Sequence, residues 1–362
     1  MKNYCDTIVV GAGAAGLVAA RKLVEHGHDV IVVDAARGVG GRMASVPIGR
    51  ATFDSGAQFI TVRSDEFARL VEEWVDAGVA TLWAHGFADG LTGDGSLASA
   101  PERNVARDHM PARDGHPRYR GVPAMDAIPR HLARGLDVRL GVTVRAVGPH
   151  PDGGWLVDAD AGRYYRADSV IVTPPVPQAI EMILAGSTPV GHSGRTILES
   201  IEYAPCLALL GVPEDAVELP EPGALRRPDA TIDWIADNRM KGVSTDGPAI
   251  TVHCSQAFSA EHYDLDDADV LRMITRSLEG ILPVRFSSWR LQRWRYSRPL
   301  DPLATGAWTD DLPEGLVVAG DAFSGARVEG AVLSGLAAAH EIAARREIAA
   351  RRPGQSSRDH HD

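Results

Sequence analysis

The first thirty-four residues narrow the choice of fold more than any other part of the chain. Thr7 to Val10 is a short, continuous apolar run rich in β-branched side chains, which suits a strand buried on both faces of a parallel sheet. Gly11-Ala12-Gly13-Ala14-Ala15-Gly16 follows at once. From Leu17 the period becomes helical: Leu17, Ala20, Leu23 and Val24 share one face, Arg21, Lys22 and Glu25 lie elsewhere, and Gly27 suits the stop. A second buried run, Val30 to Val33, ends in Asp34. The spacing predicts a strand, helix and strand joined by a glycine-rich turn, the opening unit of a doubly wound α/β fold.

Each part of that unit has a physical job in binding a dinucleotide. Gly11 permits the tight turn out of the strand, and Gly13 removes a side chain that would block a diphosphate. Gly16 lets helix and strand approach closely, and the helix N-terminus turns free N–H groups toward the anion. Asp34 is placed to accept hydrogen bonds from ribose hydroxyls.

Charge and cysteine content remove whole classes of function. With 48 acidic against 37 basic residues the formal net charge is -11, which argues against a nucleic-acid polymer as partner. No apolar stretch approaches the roughly 20 residues that a membrane-spanning helix needs. The start, MKNYCDTIVVGAG, runs into a strand without a cleavage site, so a cytoplasmic protein is expected. Cys5, Cys206 and Cys254 are dispersed and form no CxxC, so neither a disulfide framework nor a zinc site is indicated. Lysine is scarce: Lys2, Lys22 and Lys241 are the whole set.

A second glycine cluster, Arg37-Gly38-Val39-Gly40-Gly41-Arg42-Met43, allows a turn with positive φ near a ligand and supplies a forked donor for anionic oxygens. It resembles the cluster that follows the first unit in the flavin amine oxidase superfamily, where the arginine lies beside the flavin and its phosphates. Phe53-Asp54-Ser55-Gly56-Ala57-Gln58-Phe59-Ile60-Thr61 resembles the segment that passes under the flavin ring in renalases, above all bacterial ones. Tyr119 to Met125, Asp233 to Arg239 (DWIADNR) and Arg293 to Pro299 (RWRYSRP) resemble further elements of that family. Near the end, Gly320-Asp321 and Ser324 to Ala331 resemble its closing flavin motif. There Leu316 to Ala319 reads as a strand and the run from Val328 to Ile342 as a helix whose N-terminus would stabilise an anionic reduced flavin.

The resemblance, which spans most of residues 5–345, implies an α/β fold: a Rossmann-type FAD-binding domain of the glutathione-reductase or amine-oxidase kind with an α+β substrate domain. The expected division is 1–63, 136–175 and 309–345 for FAD, 64–135 and 176–308 for substrate, and 346–362 as a flexible tail. Within 136–175, Val142 to Val147, Trp155 to Asp160, Tyr164 to Arg166 and Val170 to Thr173 read as short strands with a turn at Gly148-Pro149. The FAD contacts implied are Gly11, Ala12, Gly13, Ala15, Gly16, Asp34, Gly41, Arg42, Gly56, Ala57, Gln58, Gly320, Asp321, Val328, Gly330 and Ala331, with the backbone of Val144 toward the adenine. No Cys or His sits in an evident attachment motif, so the FAD is expected to be non-covalent. The stretch from Thr92 to Pro117 looks longer than the equivalent renalase loop, which leaves substrate identity the least determined feature.

Renalase-like enzymes oxidise the 2- and 6-dihydro isomers of NAD(P)H to NAD(P)+ and pass the electrons to O2, forming H2O2. On this resemblance Gln58, Phe59 and Thr61 lie beside flavin and substrate, with Arg120, Asn238 and Trp294 lining the substrate side. No acid or base is required, because hydride departure from a dihydropyridine removes no proton. The alternative is an FAD-dependent oxidase or dehydrogenase of a small amine. Many such enzymes carry a lysine that binds a water at the flavin; only Lys241 is available here, and it lies in a renalase-like element. Tyr203, Trp234, Trp294 and Tyr296 could nevertheless supply an amine cage. A third reading is a flavin-binding sensor or scaffold without turnover.

Overall fold

The computed structural model describes residues 3–89, 116–226 and 231–351; most of the 92–117 loop lies outside them. The opening unit forms as expected: strand Tyr4–Val10, helix Ala14–Glu25 and strand Val30–Asp34. Together with Asp137–Leu140, Tyr164–Val172 and Leu316–Val318, the two strands make a parallel sheet, with Leu316–Val318 and Tyr4–Val10 flanking Tyr164–Val172. Val144–Pro149 and Trp155–Ala159 extend it in antiparallel pairing. Two short strands expected at 164–166 and 170–173 are one continuous strand, and Pro149 ends a strand rather than making a turn.

Alternation along the strands fills two cores. Val9, Val32, Ile171 and Val317 point to the face covered by the first helix and the last, Val328–Arg351. Those helices meet closely, since a Cβ on Gly335 would lie 2.3 Å from the Ala15 carbonyl oxygen. Ile8, Val10, Ile31, Val33, Val170 and Val172 point the other way. There they pack with Val176, Ala179, Ile180 and Ile183 of helix Val176–Ala185 and with Leu198 of helix His192–Glu199. These helices, expected with the substrate portion, bury their apolar stripes against the nucleotide sheet. Phe67, Val71, Trp74, Met125 and Ile128 likewise join the first face, so much of 64–135 shares its core.

A second, mainly antiparallel sheet orders Phe286–Pro299, Tyr203–Pro213, Ile250–Cys254, Ile232–Asp237, Ala224–Arg226 and Ala88–Asp89. A small sheet of Ile60–Thr61, Arg118–Gly121 and Ala80–Ala84 and a hairpin of Ser45–Ile48 with Ala51–Asp54 complete the frame. The last helix continues to Arg351, past the expected start of the tail at 346. Its Arg-Glu-Ile-Ala-Ala sequence is strongly helix-forming, and Arg346 Nη1 lies 2.9 Å from Asp6 Oδ2. Among the described residues no helix is long and apolar enough to cross a membrane.

Candidate active site

The turn after the first strand is built around the absence of side chains. A Cβ on Gly16 would lie 2.0 Å from the Gly11 carbonyl oxygen, so only glycine permits this helix start. A Cβ on Gly13, by contrast, would meet nothing within 4 Å. Its hydrogen atoms therefore face open space beside the first turn of the helix. That turn has no side-chain cap and no acidic residue, leaving its N–H groups to a ligand. Asp34 is held by two backbone donors, Ala12 N at 2.6 Å and Ala36 N at 2.7 Å, with lone pairs to spare for hydroxyls. The second glycine cluster closes against the first: Gly40 N donates to Ala12 O at 2.8 Å, and a Cβ on Gly41 would lie 3.7 Å from Gly13 Cα. These residues fit the diphosphate and ribose of a dinucleotide cofactor.

Arg42 and Asp321, 279 residues apart, make a forked pair: Nη1 to Oδ2 at 2.6 Å and Nη2 to Oδ1 at 2.9 Å. Arg42 also donates to Ser297 O at 3.0 Å, binding the two glycine motifs to strand Phe286–Pro299. Burial works against the Arg42 charge, but Asp321 more than compensates and holds its pKa above the ordinary value. Burial also pushes the nearby Tyr203 hydroxyl up to about 12, so it stays protonated.

Between these motifs lies Asp54 to Thr61. Ala57 N donates to Arg42 O at 2.8 Å, and a Cβ on Gly56 would lie 2.2 Å from that oxygen, so the segment lies flat on the glycine turn. The second sheet grips it from beneath. The Ser55 carbonyl receives Trp294 Nε1 and His253 Nε2, each at 3.1 Å. Because a carbonyl only accepts, His253 carries its proton on Nε2. Burial lowers its pKa to about 4, keeping the ring neutral.

Asn238, expected on the substrate side, is fully buried. Its Oδ1 accepts from Asp54 N at 3.1 Å while its Nδ2 donates to Ala249 O and Thr251 Oγ1, so the amide holds the segment and has no free edge for substrate. Trp294 is likewise spent on the Ser55 carbonyl. The amide of Gln58 folds back on its own turn, Nε2 donating to Asp54 O at 2.6 Å and Gly56 O at 3.1 Å.

Under Gln58 lies the one lysine that composition leaves for the flavin site, in a pairing with Asp54 that no motif foretells. Lys241 Nζ is 2.7 Å from Asp54 Oδ2 and 3.5 Å from Gln58 Oε1, and the side chains of Lys241 and Asp54 are both 0% exposed. Asp54 Oδ1 takes Ser45 Oγ at 2.7 Å and Met125 N at 2.9 Å. Burial lowers the Lys241 pKa against the pull of Asp54. Its ammonium also lies 4.9 Å from the Trp83 ring centre. Trp83 and Phe59 belong to an aromatic cluster with Phe87 and Trp234, the Phe59 centroid being 5.0 Å from Phe87 and 5.5 Å from Trp234. Arg120 is half-buried near this group, donating to Gly121 O at 3.0 Å. Thr61 is buried opposite Arg118, and Val144 pairs with Ala159 at the edge of the nucleotide sheet. Gly320 N donates to Ser334 Oγ of the last helix at 2.8 Å, setting Asp321 beside that helix.

Comparison with known proteins agrees with this geometry. Residues 9–74 match the NAD(P)-binding Rossmann-like domain, and residues 80–343 match the flavin containing amine oxidoreductase model. The chain is similar to renalase from Mus musculus, 26% identical over 346 residues that cover 91% of this chain and 96% of that one. It is also similar to putrescine oxidase from Kocuria rosea, 46% identical over 68 residues, 19% of this chain and 14% of that relative. The solved structure of putrescine oxidase bound to putrescine superposes with a TM-score of 0.70 at 17% identity, covering 95% of this chain and all of that one. A putative protoporphyrinogen oxidase from Exiguobacterium superposes with a TM-score of 0.71 at 14% identity, over 95% and 99% of the two chains.

Proposed function

The chain belongs to the flavin containing amine oxidoreductase family, with FAD as its cofactor, and from that premise we propose that it oxidises the 2- and 6-dihydro isomers of NAD(P)H. Dihydronicotinamide, O2 and one proton would give NAD(P)+ and H2O2. The bound FAD supplies the two-electron acceptor. The Gly11–Gly16 turn and the first helix would hold its diphosphate, Asp34 a ribose and the Val144 backbone the adenine. Gly41, Arg42, Gly56, Ala57 and Gln58 would lie toward the ring, and Asp321 with the Val328–Ala331 turn would hold the ribityl and pyrimidine end.

One observation carries the choice of substrate: the carboxylates nearest the Asp54–Thr61 segment are engaged. Asp54 is held by Lys241, Asp321 by Arg42, and Glu329 by Ser64 N and Oγ. His253 is neutral, with its Nε2 proton given to Ser55, and a pKa of about 4 makes it a poor base at neutral pH. An amine arrives protonated and must lose a proton before hydride can leave. A dihydropyridine has no such need, and the work left to the protein is holding its C–H bond against the cofactor while excluding water. Similarity to mouse renalase over 91% of the chain supports the same reading.

Anaerobic mixing of the holoenzyme with partially isomerised NADH tests it. Bleaching of the flavin, followed by H2O2 when air is admitted, is the expected result. Bleaching by a primary or secondary amine but not by the isomers would replace this reading with an amine oxidase.

A further inference from the structure

The turn that carries Asn238 and Lys241 also contributes to a cavity of about 390 Å³ that neither of those two residues lines. Asn238 and Lys241 reach Asp54 and hold the flavin segment. Their neighbours Asp237, the last residue of strand Ile232–Asp237, and Arg239 line the cavity instead. Its apolar walls come from Pro213, Val217 and Ile250, with Met240 exposed at the rim.

Asp237 is 7% exposed, and carboxylates buried to that degree are ordinarily paired. Asp54 and Asp321, comparably buried, have both oxygens taken. In Asp237, Oδ1 accepts from Arg239 N at 2.7 Å and Met240 N at 3.2 Å, whereas Oδ2 has no partner among the described residues. That oxygen is not among the atoms sealed from solvent, and the space it opens on is the cavity. The Arg239 guanidinium is exposed and likewise has neither a hydrogen bond nor an ion pair among the described residues. Two opposite charges thus stand two positions apart on one cavity without pairing, because the turn spends the first oxygen of Asp237 on its own backbone.

An apolar recess with a carboxylate in its floor and a guanidinium at its rim suits a ligand that brings an ammonium and a carboxylate on one small apolar body. A simple cation would leave Arg239 unused, and a simple anion would leave the buried carboxylate unpaired. We propose that this cavity binds a zwitterionic amino acid with an apolar side chain. Its ammonium lies on Asp237 Oδ2, its carboxylate on Arg239 and its side chain against Pro213, Val217 and Ile250. The site is separate from the candidate active site and does not depend on which substrate the flavin oxidises.

Equilibrium dialysis of labelled L-leucine against the holoenzyme tests the proposal. Saturable binding is expected. As competitors, 3-methylbutylamine, which lacks the carboxylate, and 4-methylpentanoate, which lacks the ammonium, should each be at least about tenfold weaker than unlabelled L-leucine, the scale of one charge-assisted hydrogen bond. Asp237→Asn keeps an oxygen for the two backbone donors of the turn, and Arg239→Gln changes an exposed side chain; each is expected to weaken L-leucine at least about tenfold. Arg239→Gln should also erase the advantage of L-leucine over the amine, and Asp237→Asn its advantage over the acid. Flavin content and melting temperature establish that the variants are folded. Absence of saturable binding at millimolar concentration, binding unchanged in either variant, or competition by the amine or the acid as strong as that by L-leucine overturns the proposal.

Discussion

Replacing Lys241 with methionine probes the pair beneath Gln58. Both side chains are 0% exposed and 2.7 Å apart, so the substitution leaves the Asp54 carboxylate in the core without its cation. Breaking one partner of such a pair costs about 3–5 kcal/mol. The cost should fall near the lower end, because Ser45 Oγ and Met125 N still donate to Asp54 Oδ1. The orphaned carboxyl is expected to take up a proton, since burial without a cation raises a carboxyl pKa. A folded-state pKa raised above the unfolded value of about 3.9 stabilises most at low pH and is lost as pH rises toward the folded value. The deficit of Lys241→Met relative to wild type should therefore widen between about pH 4 and pH 7. Replacing both partners, as Lys241→Met/Asp54→Leu, removes the uncompensated charge and should recover part of the loss, giving a coupling of 1 kcal/mol or more by double-mutant cycle, an order-of-magnitude figure. Guanidinium titration at saturating FAD, followed by flavin fluorescence and far-UV circular dichroism together, measures these differences where the two signals coincide. A Lys241→Met deficit below about 1 kcal/mol, flat with pH and additive with Asp54→Leu, would show that the pair is not the buried, mutually dependent unit described here.

Other positions separate cofactor binding from folding. Gly13→Ala is expected to fold with near wild-type stability but carry little FAD, because its Cβ meets no protein atom and enters the space proposed for the cofactor; absorbance at saturating FAD reads this directly. Gly16→Ala should destabilise the apoprotein itself by about 1–3 kcal/mol, since its Cβ would lie 2.0 Å from a backbone oxygen. For His253 the folded pKa of about 4 lies below the unfolded value near 6.5, so its contribution is complete above about pH 6.5 and is lost as pH falls to about 4. That amounts to about 3 kcal/mol, and His253→Gln should flatten this part of the stability–pH curve. Trp294→Phe keeps a ring near Gly56 but loses the N–H on Ser55; kcat is expected to fall severalfold with KM little changed, whereas a raised KM alone would return Trp294 to the substrate side.

The legible parts of the molecule were those where sequence neighbours settle the structure. The turn from Gly11 to Gly16, the helix after it and the acid at Asp34 act within one short unit, so period and residue type suffice. Asn238 shows where such reading stops. A polar side chain in a strand-to-turn element suits a substrate contact and a backbone clamp equally, and only the approach of Asp54 N, 184 residues away, decides for the clamp. Helix Val176–Ala185 shows the same limit for packing: its apolar stripe was readable, but which sheet would cover it was not.

The scarcity of lysine acquires a physical meaning from this arrangement. Composition leaves Lys241 as the lysine that could serve chemistry at the flavin, and by position alone it could do so, since it lies under Gln58. Its ammonium, however, is consumed by Asp54, whose other oxygen takes Ser45 and Met125 and whose backbone N–H goes to Asn238. Trp294 and His253 fix the next carbonyl, and Arg42 fixes the turn beyond it. The second sheet thus spends its polar side chains on the underside of one short segment. On the proposed reading the segment would meet a substrate through Phe59, which packs with Phe87 and Trp234, and Thr61. On the proposed reading such a site would select by the shape of the reacting ring, and among the described residues the carboxylates nearest the segment, Asp54, Asp321 and Glu329, are engaged elsewhere and not free to take a proton from an amine.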